Sequence, residues 1–396
     1  MAVENKETLA PARSAIWNDT RYRMVFFQVL VLGAVVAFAA FVISNTLDNL
    51  ERRGIASGFD FLSSTAGFGI LMHLIDYSEE SSYGTAFLVG LLNTLLVSAI
   101  GVVFATVLGF TLGICRLSRN WLVSRVAATY VEVIRNIPLL LQIFFWYFAI
   151  LVPLPFPRQS IELAGVFFLN NRGLQFPAPI FMPGFWLIQM TFLIAIVTVI
   201  LLIRWAARRR ELTGRRFHSF YASIGILMVA PLIAAIITGF PVSWDIPQLK
   251  GFNFEGGLVL IPEFGALLVA LSVYTAAFIG ETVRAGIQSV SQGQIEAAYS
   301  LGLKPAQTLR LVIVPQALRV IIPPLTSQYL NLTKNSSLAV AIAYPELVSV
   351  FAGTILNQTG QAIEVIAMTM AVYLTISLLI SLFMNWYNRR VALERR

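Results

Sequence analysis

The sequence predicts an all-α, polytopic membrane protein with about eight transmembrane helices. Of its 396 residues, 57% are hydrophobic and only 12% are charged, whereas soluble domains carry about a quarter charged residues. The apolar residues fall in long charge-free runs, and basic residues cluster at the ends of those runs. Composition, run length and charge placement therefore indicate the same class of protein.

Seven charge-free runs are long enough to be read as helices crossing a bilayer, which takes about 20 residues. An eighth apolar region, 320–350, is interrupted by Lys334 and Glu346. The first run follows a polar segment, 1–23, and exceeds the apolar core of a signal peptide, so we predict an uncleaved span. The sixth should extend from about residue 257 past Glu281. The seven runs are 24–47, 84–115, 136–157, 173–203, 217–244, 264–280 and 365–388.

The basic residues predict an orientation with both termini in the cytoplasm. Cytoplasmic connections carry an excess of Lys and Arg, and this holds for the even-numbered connections if 1–23 is inside. The odd-numbered connections are mixed, acidic or nearly neutral, and two of them, 152–183 and 242–262, are rich in Pro, Gly and Phe. We expect those two to be structured or membrane-adjacent. The predicted inside connections are 116–125, 204–216 and 288–319.

Several function classes find no support in the sequence. The net charge of +8 is explained by the basic ends of the spans, so it does not indicate nucleic acid as a partner. A single cysteine, Cys115, and two distant histidines exclude a disulfide framework and predict no metal site. There is no phosphate-binding loop and no hydrolase motif. We therefore predict no enzyme activity and no cofactor in this chain, and energy from an ion gradient or from another subunit.

One predicted inside connection is more ordered than a linker needs to be. Residues 292–300 have helical spacing, Gly302 follows where a left-handed cap residue is favoured, and Pro305 suits the first turn of a second helix. Pro315 is predicted to end that helix. The segment is either a surface-lying connector or a docking element for a cytosolic partner. Apolar positions predicted to face one side are Ile295, Ala298 and Leu301, then Leu309, Val312 and Ile313.

The residues of this connection resemble the EAA loop of ATP-binding-cassette import permeases. "EAAYSLG" is followed by "VIVP", in which two valines replace the usual Ile and Leu. Further stretches are similar to the polar amino acid branch of that family. The resemblance covers 84–153 and 257–390 and implies a five-span type I importer core. The span 24–47 and an inserted region, 154–256, with two spans are additions. The enlarged form resembles the longer permease subunit of general L-amino acid or glutamate/glutamine importers. The further stretches are "GLLNTLLVSAIGVVFATVLGF", "YVEVIRNIPLLLQIFFWY", "AAFIGETVRAGIQSVSQGQ" and "LTKNSSLAVAIAYPEL".

The resemblance implies roles and partners. The loop would be the coupling helix that enters a cleft of a cytosolic ATPase dimer, which would bind the ATP and Mg. A second, different permease would complete the translocation pathway, and a soluble binding protein would deliver an L-amino acid at the outer face. The chain would lie in the bacterial cytoplasmic (inner) membrane. The residues implied in ATPase coupling are Glu296, Ala297, Ala298, Gly302 and Pro315.

Polar residues within spans are costly and become candidates for a substrate pathway. Each has a structural alternative: Arg135 could snorkel to the interface, Glu281 could pair with Arg284 three residues on, and the amides and hydroxyls could join helices. Lys334 must face a cavity, a carboxylate or helix carbonyls. The next residue, Asn335, stands where many relatives have Asp, which favours neutral and acidic amino acids over basic ones. The candidates are Asn93, Thr94, Arg135, Gln142, Glu281, Lys334, Asn335, Ser336 and Ser337.

Two other functions compete with an ATP-driven importer. An ion-coupled secondary carrier would show paired discontinuous helices in two halves, and no such repeat is evident. A membrane scaffold without transport would not need a docking helix. The ordered loop at 288–319 favours the importer over both.

Overall fold

The computed structural model of the protein describes residues 20–52, 58–214 and 217–392. The predicted segment 1–23 lies almost entirely outside the described residues. The described chain is mostly helical, as predicted. Its main helices are α1 (Thr20–Arg52), α2 (Tyr83–Arg116), α3 (Trp121–Asn136), α4 (Leu139–Leu151), α5 (Phe185–Thr213), α6 (Ser219–Ile237), α7 (Pro262–Gln288), α8 (Gln292–Ser300), α9 (Pro305–Ile342), α10 (Val348–Ile355, continued by Leu356–Thr359) and α11 (Ala362–Ala392).

The number of spans agrees with the prediction of about eight. Seven helices of the described chain are long and apolar enough to cross a membrane: α1, α2, α5, α6, α7, α9 and α11. The eighth candidate is a pair, α3 and α4, bent by 105°. Pro138 stands at the bend, and the residue before a proline is driven out of helical conformation; Ile137 has an extended backbone. The predicted third span, 136–157, is thus shortened to α4.

The predicted seventh span, 320–350, needs correction. It begins within α9, which ends at Ile342. Ala343 then takes a left-handed conformation with φ 58°, and the chain turns before α10. Glu346 consequently lies outside α9, directly ahead of the next helix. Hydropathy could not show this break, because the residues on both sides of it are equally apolar.

The prediction that Pro315 ends a helix is wrong. Helix α9 continues through it from Pro305 to Ile342. A wide, π-helical turn, Leu309–Ile313, comes immediately before, and regular α-helix resumes at Val314. Pro315 therefore occupies the first turn of the resumed α-helix, where its missing N–H is tolerated. The boundary between loop and span lies inside one continuous helix.

Helix α7 is the centre of the core and packs most closely on α2. Glycines at positions 109 and 113 bring the two backbones together. A Cβ on Gly109 would lie 2.6 Å from Ile279, and one on Gly113 would lie 2.7 Å from Val283. Substitution at either glycine would force the helices apart, as expected of a G-x-x-x-G pair in a membrane protein.

The helices predicted as additions to the core stand at its margin. The side chains of α1 are exposed over 22–45. Helices α5 and α6 pack mainly on each other, with Ala195, Ala206 and Ala234 as their buried residues. These apolar, outward-facing surfaces fit contact with lipid or with another membrane subunit.

The two Pro-, Gly- and Phe-rich connections fold into short antiparallel strands, which confirms that they are structured. Strands β1 to β3 and β8 form one sheet in that order, while β4 pairs with β5 and β6 with β7. Gly173 permits the β3–β8 approach, because a Cβ there would lie 2.2 Å from the carbonyl oxygen of Leu260. The strands are β1 (Ile161–Leu163), β2 (Phe167–Asn170), β3 (Gly173–Phe176), β4 (Ala178–Phe181), β5 (Val242–Asp245), β6 (Gln248–Lys250), β7 (Asn253–Glu255) and β8 (Leu258–Leu260).

The strands and α8 lie at opposite ends of the helical core. Strand β8 directly precedes α7, and α8 directly follows it. Arg116 at the end of α2 pairs with Glu281 near the end of α7, so both helices end on the α8 side. Arg210 near the end of α5 and Arg310 in α9 line one cavity, which places the end of α5 there too. We call these the sheet end and the α8 end.

Candidate functional site

Helix α8 presents the predicted coupling residues on its outer surface. Ile295 is half-buried against the core and Ala298 is buried, so these two attach α8 to the rest of the chain. Glu296 and Ala297 are exposed, as is Tyr299. A helix fixed on one side and open on the other can enter a groove of a partner.

Gly302 has the conformation that the sequence predicts. Its φ is +78°, and the residues around it form a Schellman cap. The Gly302 N–H donates to the Tyr299 carbonyl at 2.9 Å, and the Leu303 N–H donates to the Ala298 carbonyl at 3.1 Å. Both bonds satisfy carbonyls that a helix end leaves without partners. The cap fixes the angle at which α8 leaves the surface.

The predicted apolar side of α8 is wrong at Leu301. This side chain is 82% exposed, although its spacing matches Ile295 and Ala298. The helix ends at Ser300 and the chain turns at Gly302, so the half-buried Leu303 takes the inward position instead. Leu301 thereby becomes an apolar addition to the outer surface of α8, beside Tyr299.

Glu281 belongs to a three-residue charge cluster at the α8 end. Its carboxylate accepts hydrogen bonds from Arg116 and from Arg284, the latter through Nε at 3.1 Å and Nη2 at 2.5 Å. The pairing of Glu281 with Arg284 was expected, whereas Arg116 was not foreseen. The cluster joins the ends of α2 and α7, so Glu281 has a structural role that competes with a place in the pathway.

Gln142 and Arg135 lie at the bend between α3 and α4. The Gln142 amide, which is buried, donates to the carbonyls of Ile134 and Ile137, each at 3.0 Å. It thus replaces bonds that the bend breaks. Arg135 is exposed and its guanidinium lies 5.0 Å from the ring centre of Phe278 on α7. Both residues hold the bent pair in place.

Asn93, Thr94 and Ser336 converge on a buried network at the start of α10. The Asn93 amide donates to the Pro345 carbonyl at 2.8 Å, and the Leu347 N–H donates to the Thr94 hydroxyl at 3.0 Å. Tyr373 of α11 lies beside Thr94 and Ser336, and the Ser336 hydroxyl donates to the Thr333 carbonyl at 2.7 Å. These candidates therefore lie where α2, α9, α10 and α11 meet.

Glu346 is the centre of this network, and sequence reasoning missed its role. Its side chain is fully buried. The two carboxylate oxygens accept the N–H groups of Val348 and Ser349 at 2.8 and 2.7 Å and the Tyr373 hydroxyl at 3.0 Å. A carboxylate is favourable at a helix N-terminus. The Pro-Glu pair ahead of an apolar run was an available signal of a helix start.

We expect Glu346→Ala to destabilise the protein by about 3 kcal/mol, because it leaves three donors around a fully buried position without an acceptor. The melting temperature in detergent micelles, followed by tryptophan fluorescence, measures the effect. Glu132→Ala is the matched control: that carboxylate is exposed on α3, and a change there should stay within about 0.5 kcal/mol. Equal melting temperatures for the two variants would contradict the role of Glu346.

Lys334 lies on a polar, exposed stripe of α9. Side chains at the spacing of one helix face, Ser327, Asn331 and Lys334, are all exposed, while Asn335 and Ser337 are half-buried beside them. Exposed Pro323 and Pro324 lie on the same face, and each leaves a carbonyl of the preceding turn without its helical donor. A polar stripe with a lysine is too costly to face lipid.

The nine pathway candidates thus occupy four places rather than one pocket. They are the α10 network, the charge cluster, the α3–α4 bend and the α9 stripe. Of these, the stripe alone offers, within the described chain, a charged side chain without a polar partner on an open helix face, that of Lys334, while the Ser337 hydroxyl donates to the Lys334 carbonyl. Among the described residues, no group of three or more His, Cys, Asp or Glu side chains could hold a metal ion.

These features define a multi-span membrane protein with a short, exposed helix at one end. The family described as "Binding-protein-dependent transport system inner membrane component" matches residues 105–393. The chain belongs to this family. Its members are permease subunits and not enzymes; ATP hydrolysis is carried out by a separate subunit.

Similar proteins match almost the whole length of the chain. The general L-amino acid transport system permease protein AapQ of Rhizobium johnstonii is 53% identical over 97% of this chain and 96% of its own. The glutamate/glutamine/aspartate/asparagine transport system permease protein BztB of Rhodobacter capsulatus is 42% identical over 97% of each chain. YhdX of Escherichia coli K12 is 56% identical over 94% of this chain and 95% of its own.

Proposed function

We propose that this chain is the transmembrane subunit of an ATP-driven importer of L-amino acids and that α8 receives the motion of a cytosolic ATPase. The observation that carries the proposal is the exposed, rigidly capped α8 at one end of the core. Glu296, Ala297, Tyr299 and Leu301 give it an acidic group, a small residue and two apolar side chains in one docking surface. Membership of a binding-protein-dependent family favours this function over an ion-coupled carrier.

Each proposed partner is assigned to one surface of the chain. An ATPase dimer, holding ATP and Mg, would bind at the α8 end, which would then be the cytoplasmic side with both chain termini. A soluble binding protein would dock at the sheet end. A second permease, different from this chain, would cover the polar stripe of α9, since a single chain leaves it open.

Reconstitution tests the proposal. The chain is co-expressed with a second permease and an ATPase, incorporated into proteoliposomes, and supplied with binding protein and L-glutamine. ATP hydrolysis should rise only when binding protein and amino acid are both present. Accumulation of amino acid by the purified chain alone on a proton or sodium gradient would overturn the proposal.

The substrate class is proposed from Asn335. It is the half-buried neighbour of Lys334, and as a neutral amide it offers no negative charge to a cationic side chain. Neutral and acidic amino acids would then be preferred, in keeping with the name of BztB.

We expect Asn335→Asp to raise the ratio of arginine to glutamate uptake on the order of tenfold, because a carboxylate attracts a guanidinium and repels an acid. Competition between the two labelled amino acids in proteoliposomes measures the ratio. Asn357→Asp, an exposed position in the last turn of α10, introduces the same charge away from the stripe and should leave the ratio unchanged. An unchanged ratio in Asn335→Asp would remove this residue from the pathway.

A further inference from the structure

A cavity of about 1210 Å³ lies between the α5–α6 pair and the first turns of α9. It is formed by the last turns of α5, the start of α6 and the segment that follows the Gly302 bend. Helices α5 and α6, which otherwise pack mainly on each other, thus meet the first turns of α9 at this cavity. Whatever fills it connects the additional spans to the part of the chain that would move with the ATPase.

The polar part of the lining is positively charged. Arg210 of α5 and Arg310 of α9 face the same space, with Gln307 beside them. No acidic residue lines the cavity, and within the described chain neither guanidinium forms an ion pair with a carboxylate. Two arginines on separate elements that share an open space repel each other unless an anion lies between them.

The rest of the lining is apolar except for Ser219 at the start of α6, and it extends deeper along α5. Ile203 precedes Arg210 by seven residues on α5, which is about 10 Å along a helix. Leu311 and Phe217 contribute further apolar surface. A cationic part at the α8 end, with an apolar part deeper along α5, matches one molecule of the membrane, a phospholipid with an anionic headgroup. A free anion would leave the apolar part of the cavity unused.

We propose that this cavity binds an anionic phospholipid of the cytoplasmic leaflet, whose phosphate is held by Arg210 and Arg310 and whose acyl chains lie along Ile203 and Leu311. Basic pockets between transmembrane helices on the cytoplasmic side have this chemistry. The lipid attaches α5 and α6 to the segment behind α8. This assigns the inserted spans a function that importer activity by itself does not require.

The test compares lipid binding by two double variants of the full-length chain. Purified protein in detergent micelles is titrated with fluorescent phosphatidylglycerol, and retained lipid is counted by native mass spectrometry. In R210Q/R310Q we expect about 25-fold weaker binding, from about fivefold for each arginine near the membrane surface. The matched control, R204Q/R208Q, removes the same charge from exposed positions of α5 that do not line the cavity, and its affinity should stay within about threefold of wild type.

Each other outcome overturns the proposal. Equal weakening in both double variants would indicate a diffuse basic surface. Equal binding of phosphatidylcholine would indicate an apolar groove without charge recognition, and displacement by millimolar inorganic phosphate would indicate a site for free anions. If wild-type protein binds no phosphatidylglycerol and R210Q/R310Q instead loses the ATPase on co-purification, this face belongs to the ATPase. This experiment measures lipid binding and not transport. A negative result would therefore leave the proposed importer function, which reconstitution tests, unaffected.

Discussion

Gly302→Val should reduce ATP-driven uptake about 5- to 30-fold while the protein remains folded in the membrane. The φ of +78° at this position is unfavourable for any residue with a Cβ, by about 1–2 kcal/mol, and more for a β-branched one. This penalty reduces the ratio of capped to uncapped loop roughly 5- to 30-fold. Helix α8 would then no longer be held at the angle that a cleft in the ATPase accepts. Uptake of labelled glutamine measures the loss of transport, and the yield of protein in membranes measures whether the variant still folds.

Gly302→Asn is the matched control for this prediction. Asparagine tolerates the left-handed region much better than valine does, and no atom lies within 4 Å of a Cβ at this position, so bulk alone is harmless. The asparagine variant should retain most of the uptake. If valine and asparagine reduce uptake equally, the backbone angle is not what matters; if neither reduces it, α8 is a connector.

Features encoded in neighbouring residues could be predicted from the sequence. The spans follow from apolar length, and the cap at Gly302 follows from a helix pattern that ends beside a glycine. The folded connections at the sheet end followed from their Pro, Gly and Phe content. In each case the residues that decide the conformation lie within a few positions of one another, so a short window contains the answer.

Features that depend on distant partners could not be predicted. Glu346 appeared as an interruption of a span, and only the fold brings it to Tyr373 and brings the next residue, Leu347, to Thr94. Arg116 meets Glu281 across 165 positions of sequence. Both cases concern a charged group that must be neutralised or hydrogen-bonded once buried, but the sequence does not say by which residue.

The errors at Pro315 and Leu301 share a different cause, which is a change in helical geometry. Spacing arguments assume 3.6 residues per turn throughout. The wide turn at Leu309–Ile313 lets α9 continue through Pro315, and the end of α8 at Ser300 removes Leu301 from the inward face. Both departures lie between α8 and the span. This segment of irregular helix therefore separates the exposed surface of α8 from the α9 stripe, which begins at Ser327, about four turns later.

The role of the α9 stripe gives the second large effect: Lys334→Met should reduce amino acid uptake about 10- to 150-fold. That is the loss expected when a charge-assisted hydrogen bond of about 1.5–3 kcal/mol to the substrate is removed. Folding should not suffer, because methionine has a similar length and the lysine has no ion-pair partner within the described chain. Initial uptake rates and melting temperatures in the reconstituted importer measure both. Lys334→Arg, which keeps the charge, should retain part of the uptake.

Val320→Met tests whether reduced uptake in Lys334→Met comes from loss of the charge or from any change on this face of α9. Val320 is exposed on the same side of α9. It lies about four turns nearer the α8 end, and its side chain has no polar group. This variant should transport like the wild type. If Lys334→Met also transports normally, the stripe does not contact substrate. Its polar side chains would then contact the second permease. If both variants fail alike, the whole face is a packing surface whose shape, and not whose lysine, is required.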